Sequence, residues 1–409
     1  MKHDILNRQP RALLALLITL TAPSLARAAE STELDPVVVT ASRIATRESE
    51  VAQSITVVEP SEADRKSGKL VAELLRTVPG VNVINTGGPG QSTTVQIRGA
   101  NSEQTLVLLD GVPMNDPTNP GRGFDFGQLT VQEVERIEVL RGAQSGVHGN
   151  NSTGGVIHII SRRGSEAPRA SLRADYGAFD SKRFSGSAGA TVGGTKVAAS
   201  ALYENSDGFP SANADYGNTI KNGYKRLTGT LSLDRDFADV LSASLTARGY
   251  QSDTNLPYNG GPPGVGTGED PNYTGKDAQA AIGAKLRYRG FSKWEPTLGV
   301  GLNLVARRFD NLTDAVNADT LTERYRGRRI KLEQSNTFAL DESNTVVAGV
   351  DSQIETITVS QDYGFGPSTI EGNTQAISGL FTEYRWAKGP AFVPLAARGD
   401  RFHGRGDQV

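Results

Sequence analysis

From Ala170 to His403 the chain repeats one pattern: apolar and polar residues alternate with a period of two, in about eleven runs separated by turn residues. In Asp239 to Tyr250 one face reads Leu241, Ala243, Leu245, Ala247 and Gly249, and the other Ser242, Ser244, Thr246, Arg248 and Tyr250. The same alternation places Leu227, Gly229, Leu231 and Leu233 on one side, then Ala280, Ile282, Ala284, Leu286 and Tyr288, then Leu298, Val300, Leu302 and Leu304, then Leu380, Thr382, Tyr384 and Trp386. Each run is therefore a strand with a single apolar face. The links between runs alternate in length. Short ones at Arg235 to Asp239, Arg289 to Lys293, Asp341 to Asn344 and Lys388 to Pro390 are interleaved with long ones at Asn205 to Gly223, Ser252 to Lys276, Asp310 to Thr320 and Ser360 to Thr374. A transmembrane β-barrel has short turns on one side, long loops on the other and strands apolar toward lipid. A soluble sandwich or propeller has little reason to lengthen every second link, so a membrane barrel is the expected architecture.

The longest apolar run, Ala12 to Leu20, is interrupted by Thr19 and falls far short of the ~20 residues of a membrane-crossing helix. Residues 1–28 read instead as a secretory signal: Lys2, Arg8 and Arg11 are followed by apolar Ala12 to Ala22 and by the small-residue site Ala26-Arg27-Ala28. Export without a single cysteine excludes a disulfide framework. The formal net charge of −2 gives no footprint for nucleic acid.

From Glu33 to Gly164 the pattern mixes short helices and strands. Ile55 to Val58 reads as a strand, Pro60-Ser61 opens a polar helix ending at Gly68, and Leu70 to Arg76 forms a second helix stopped by Pro79-Gly80, with Leu70, Leu74 and Leu75 on one face. Strands follow at Val81 to Ile84, Thr94 to Ile97, Thr105 to Leu109, Arg136 to Leu140 and Val156 to Ile160, with polar loops at Asn85 to Ser92 and Asn115 to Gly127. The expected fold is an α+β domain followed by an antiparallel transmembrane β-barrel.

Five motifs in one order carry a resemblance. They are Asp35-Pro36-Val37-Val38-Val39-Thr40-Ala41; Leu74 to Val81; Ile97-Arg98-Gly99; Val107-Leu108-Leu109-Asp110-Gly111-Val112-Pro113; and Val134 to Ser145 with Gly149 and Gly154 to Ile160. Together they resemble the TonB-dependent outer-membrane receptors, whose plug domain lies inside the barrel. The resemblance divides the chain into a signal peptide (1–28), a TonB box and linker (29–48), a plug (49–164) and an incomplete barrel (165–409). Within the family, the loop Gly87-Gly88-Pro89-Gly90-Gln91 and the later Asp207-Gly208-Phe209 with Asn213, Asp215 and Tyr216 are similar to cobalamin receptors. His158 stands where the family usually has Asn.

The resemblance implies outer-membrane lipid as the solvent of the barrel in a Gram-negative bacterium, a monomer, and energy-coupled uptake of a bulky scarce nutrient. Cobalamin is the expected cargo and a ferric siderophore the alternative. A passive porin, an adhesin or a non-functional fragment are the readings from other classes. Asp35, Pro36, Val37, Val38, Val39, Thr40 and Ala41 would pair with the TonB protein; Pro36 disfavours helix and the valines favour an extended strand that finds its partner in another sheet. The short stretch from Ala29 to Asp35 leaves no room for a further signalling domain. Plug apices at Asn85, Gly88, Gln91, Ser92, Asn115, Asp116, Asn119, Arg122 and Asp125 would touch the cargo. The oxygen ligands Asp207, Asn213, Asp215, Asp253, Glu269 and Asp270 are of the kind calcium takes, without the fixed spacing of a twelve-residue calcium loop. No covalent cofactor is expected. Arg98, Arg136 and Arg141, with Asp110, Glu135 and Glu138, are read as an ion-pair network that is either structural or a lining of the cargo path.

Enzyme motifs are absent from the sequence. There is no Gly-Lys-Ser phosphate loop and no Gly-x-Ser-x-Gly elbow, and His148, His158 and His403 are not spaced as metal ligands. The strand count is the remaining tension. Plugged transporters close with about 22 strands, about eleven are present, and the chain stops at Asp407-Gln408-Val409. Half a ring leaves unpaired edges in lipid, so the sequence reads as a truncated receptor.

Overall fold

The computed structural model describes residues 37–38, 46–47, 53–211, 219–257, 270–314, 320–364, 366–389 and 391–404. Strands β1 (Val37–Val38) and β2 (Thr46–Arg47) pair antiparallel. The plug follows. β3 (Ser54–Val58) leads into α1 (Glu62–Ser67), whose N-terminus is capped by Ser61 and whose C-terminus ends at left-handed Gly68. Helix α2 (Val71–Leu75) buries Val71, Ala72, Leu74 and Leu75. Then come β4 (Val81–Asn85), β5 (Thr93–Ile97), β6 (Thr105–Leu109), β7 (Val112–Pro113), β8 (Val134–Arg141), α3 (Ser145–His148) and β9 (Gly155–Ser161). Five of the strands form a mixed sheet in the order β3-β8-β9-β6-β7, with β6 and β9 parallel, while β4 and β5 form a separate hairpin.

The plug core joins α2 to the sheet through Val71, Leu75, Ile97, Val107, Leu129, Val134, Ile137, Val139, Ile157 and Ile159. Gly155 opens β9 with φ +155, and a Cβ there would stand 2.4 Å from the Leu140 carbonyl. The Gly154-Gly155 pair is thus a close-packing requirement of the sheet.

The second half is a single meander of eleven antiparallel strands in sequence order: β10 (Arg169–Gly177), β11 (Ser181–Val192), β12 (Thr195–Ser206), β13 (Tyr224–Phe237), β14 (Leu241–Asn255), β15 (Thr274–Tyr288), β16 (Trp294–Asn311), β17 (Leu321–Ala339), β18 (Asn344–Asp362), β19 (Pro367–Lys388) and β20 (Ala391–Gly404). β10 and β20 are its two edges. The register aligns Leu231, Ala247, Ile282, Leu302, Ile330 and Ile354 in one row across six strands. Ile282, Ile330 and Ile354 are 39–44% exposed, so this row is the middle of an outer apolar face. The opposite face turns toward the plug. Its glycines let the plug approach: a Cβ on Gly283 would stand 2.8 Å from the side chain of Val112 in β7, and one on Gly327 2.8 Å from that of Thr118.

Two links differ from the sequence expectation. Most of Ser360 to Thr374 is strand: β18 runs to Asp362 and β19 starts at Pro367, with a register shift between Ile357 and Val359 that absorbs the polar, Gly-containing stretch as a bulge. The β10–β11 link lies at the long-loop end yet is only Ala178-Phe179-Asp180, with both Phe179 (φ 59) and Asp180 (φ 51) left-handed as a primed two-residue turn demands.

Candidate functional site: the seam between plug and wall

Buried polar contacts seat the plug on the wall. Asp116 of the plug meets Arg307 of β16 at 2.9 Å, and Arg122 pairs with Glu355 of β18, which also takes Arg329 Nε at 2.7 Å. Arg329 is fully buried and donates to the carbonyls of Pro113 (3.3 Å) and Asn115 (2.5 Å). In the register row that also holds Arg329 and Glu355, Arg248 of β14 meets Glu133 at 2.6 Å and donates to the Gln128 carbonyl at 2.8 Å. Arg226 pairs with Glu204 and donates to the Gly127 carbonyl at 2.9 Å. Near the start of the wall, Arg163 joins Asp110 (2.7 Å) to Asp234 of β13 (3.1 Å).

Most of the six charged residues read as a network make contacts within the plug. Arg136 bonds Glu138 at 2.9 Å and approaches Glu135 at 3.8 Å, and Arg141 donates to Pro79 O and Thr56 Oγ1, so these contacts hold the plug to itself. Arg98 sits at φ 51 near Gly142. Of the expected six, Asp110 alone takes part in the plug–wall pairs described above. The residues that do the seating, Glu133 just before β8 and Arg248, Arg307, Arg329 and Glu355 on four wall strands, lie far apart in sequence, and no local motif marks them.

A cavity of about 220 Å³ opens at the long-loop end between the plug apices and strands β14 to β16. It brings together Gln91, Ser92, Asp116, Asn119 and Asp125 of the expected cargo residues, and adds Gln128, Tyr250, Asp277, Gln279 and Arg307. Four expected residues do not line it. Asn115 is fully buried and holds the loop, accepting from Val107 N and donating to the carbonyls of Thr105 and Arg122. Arg122 is engaged by Glu355. Asn85 caps its own turn by accepting from Gly87 N at 2.8 Å. Gly88 is instead a contact point: a Cβ there would stand 3.2 Å from the Phe209 ring, so the two loops that carry the cobalamin-type resemblance meet. Asp125 accepts from Thr93 N and Gly127 N, both at 2.8 Å, and burial raises its carboxyl above the ordinary value against those two donors.

Among the described residues, the oxygen ligands expected for calcium form no metal-holding group. Asn213, Asp215 and Glu269 lie outside the described residues. Asp207 is exposed beside Lys221 at 3.5 Å. Asp253 stands between Lys225 and Lys276 in the register. Asp270 is buried and accepts from Asn272 N (3.0 Å) and Asn311 Nδ2 (2.9 Å). Among the described residues no group of three or more carboxylates and histidines is placed to hold a metal ion.

Of the segment expected to pair with TonB, Asp35, Pro36, Val39, Thr40 and Ala41 lie outside the described residues. Val37 and Val38 have a partner that the sequence did not indicate: they pair with Arg47 and Thr46. Thr46 is buried, and Arg385 of β19 donates to its hydroxyl at 3.0 Å. The hairpin is therefore tied to the wall through its second strand.

A second cavity, of about 110 Å³, lies against Asp110, His158 and Lys285. His158 is buried opposite Glu138 on β8, and neither ring nitrogen has a hydrogen-bond partner. Burial pushes its pKa down to about 4, with Glu138 opposing.

A plug sheet tied by buried ion pairs to the inner face of an antiparallel wall, apolar on its outer face, defines a class. Residues 47–156 match the family model described as the TonB-dependent Receptor Plug Domain. Residues 47–156 are thus a plug domain of the TonB-dependent receptor kind, followed by an antiparallel wall of eleven strands. Over 398 residues it is 29% identical to the Vitamin B12 transporter BtuB of Vibrio vulnificus (strain CMCP6), a match covering 96% of this chain and 62% of that protein. Among solved structures it is similar to the ferripyoverdine receptor of the outer membrane of Pseudomonas aeruginosa (TM-score 0.71, 16% identity, 90% of this chain and 54% of that one). It is also similar to the ferric yersiniabactin uptake receptor FyuA of Yersinia pestis (TM-score 0.60, 16% identity, 86% and 61%). At those identities the structures speak for the fold. The chain spans 62% of the length of that Vibrio vulnificus relative.

Proposed function

We propose that the protein takes part in energy-coupled uptake of a bulky nutrient across the outer membrane, with cobalamin as the cargo. The observation that carries this reading is the cavity at the long-loop end, where Gln91, Ser92, Asp116, Asn119 and Asp125 from the plug face Tyr250, Gln279 and Arg307 from the wall. A site built across a seam changes when the seam moves, so cargo held by both halves can report its presence to the plug. Val37 and Val38, within the segment from Asp35 to Ala41, would then pass from β2 to an edge of the TonB protein, exchanging their main-chain bonds for new ones. The bond from Arg385 to Thr46 keeps the second strand on the wall while the first is released. A TonB-type coupler supplies the energy, since the outer membrane holds no ATP.

The 29% identity to a Vitamin B12 transporter supports cobalamin. The fold likeness to ferric-siderophore receptors keeps a ferric chelate as the second reading. Equilibrium binding of cyanocobalamin and of ferric chelates to outer-membrane fractions carrying the protein separates the two. The cobalamin reading expects saturable corrinoid binding; saturable binding of a ferric chelate without corrinoid binding would overturn it.

A further inference from the structure

The long-loop cavity has an imbalance in its hydrogen bonds. Two of its carboxylates are satisfied: Asp116 accepts from Thr118 N and Oγ1, both at 2.7 Å, and from Arg307 at 2.9 Å, and Asp125 from the two backbone amides described above. Two other oxygens are not. Asp277 Oδ1 and Gln128 Oε1 are buried atoms with no partner, and both residues line the cavity. Gln128 is only 3% exposed, and its backbone carbonyl is fixed by Arg248 at 2.8 Å. Its amide orientation is set by Nε2 donating to the Gly90 carbonyl at 3.4 Å, which leaves Oε1 as the free acceptor. Arg307 Nε also lacks a partner, on a guanidinium whose Nη2 is already held by Asp116 and Thr118.

A buried acceptor without a donor is costly, and a site that leaves one open selects a ligand that supplies the donor. The cavity therefore asks for N–H groups at Asp277 and Gln128 and offers one N–H at Arg307. A primary carboxamide, with two donors and one acceptor, has that chemistry. A carboxylate has acceptors only and supplies no donor to either oxygen. At about 220 Å³ the cavity holds a peripheral group of a bulky cargo, short of the ~300–1,000 Å³ that enclose a drug-sized ligand.

We propose that Asp277 and Gln128 read neutral carboxamide groups on the periphery of the cargo and reject carboxylate-rich chelates. This rests on the receptor reading above and sharpens its cargo class. The test uses the full chain in outer-membrane fractions and measures dissociation constants for cyanocobalamin and for a corrinoid whose peripheral amides are hydrolysed to carboxylates. The unmodified protein should prefer the amide form. Asp277→Asn, which preserves size, should shrink that preference about tenfold, and Gln128→Met should weaken cyanocobalamin about tenfold, the scale of one hydrogen bond to a charged or buried group. Unchanged preference in the first variant and unchanged affinity in the second, with melting curves like the parent, would overturn the inference while leaving cobalamin uptake standing. If no corrinoid binds, the same variants are run with a neutral ferric trihydroxamate and an anionic ferric tricatecholate. Preference for the neutral chelate, lost in Asp277→Asn, keeps the inference and drops cobalamin; preference for the anionic chelate ends both.

Discussion

Arg248 Nε of strand β14 lies 2.6 Å from Glu133 Oε2 of the plug, and the two side chains are 3% and 4% exposed. The pair is a buried bridge between halves of the chain that fold on different rules. Thr130 Oγ1 also donates to Glu133, at 2.9 Å, so the carboxylate is well satisfied. Removing one partner leaves the other charged and out of water, which costs about 3–5 kcal/mol. Arg248→Ala should therefore lower the urea midpoint strongly. Replacing both residues by Met should cost much less than the sum of the single changes, since an apolar pair of similar volume is often near neutral. Additive single and double variants would show that the pair does not act as a unit.

His158 gives a pH dependence with a definite sign. In the fold its pKa is pushed down to about 4 by burial, while the unfolded residue titrates near ~6.5. Between those values the unfolded chain binds a proton that the folded chain does not, so stability rises with pH across that window and falls on acidification from about 6.5 toward 4. His158→Asn removes the titrating group. Denaturation midpoints measured between pH 4 and pH 7 should show a shallower slope in this variant than in the parent; identical slopes would assign the acid sensitivity to other groups.

The outer row of Leu231, Ala247, Ile282, Leu302, Ile330 and Ile354 is expected to face lipid. Ile282 sits within that row and is 43% exposed. A cationic residue on the lipid face near the bilayer midplane costs about 2–4 kcal/mol. Ile282→Arg should reduce incorporation into phospholipid vesicles, whereas Ile282→Leu should not. Equal incorporation of the two would place this face in water.

Much of this architecture was legible because it rests on local rules. The two-residue period marked the eleven strands, and the Gly, Pro and Ser signals around Pro60, Gly68 and Pro79-Gly80 marked the ends of α1 and α2. What failed was non-local. Val37 and Val38 read as partnerless because their partners, Thr46 and Arg47, carry no strand signal of their own and owe their place in part to Arg385, 339 residues from Thr46. Ser360 to Thr374 read as a loop from its polarity, yet pairing between long neighbours extended β18 and β19 through most of it. The plug side of the long-loop cavity was visible as loops. Asp277, Tyr250 and Gln279 were not, since inward polar residues of a wall strand look alike until the fold shows which of them line the cavity.

The central claim is that cargo seized at the plug–wall seam is moved by a coupler that pulls on the segment before Thr46. The most direct measurement is accumulation of radiolabelled cyanocobalamin by cells that depend on this protein, compared with cells in which residues 35–41 are deleted and with cells lacking TonB. The account predicts that surface binding survives in all three while accumulation is lost in the latter two. Accumulation that persists without the segment, or without TonB, would contradict it.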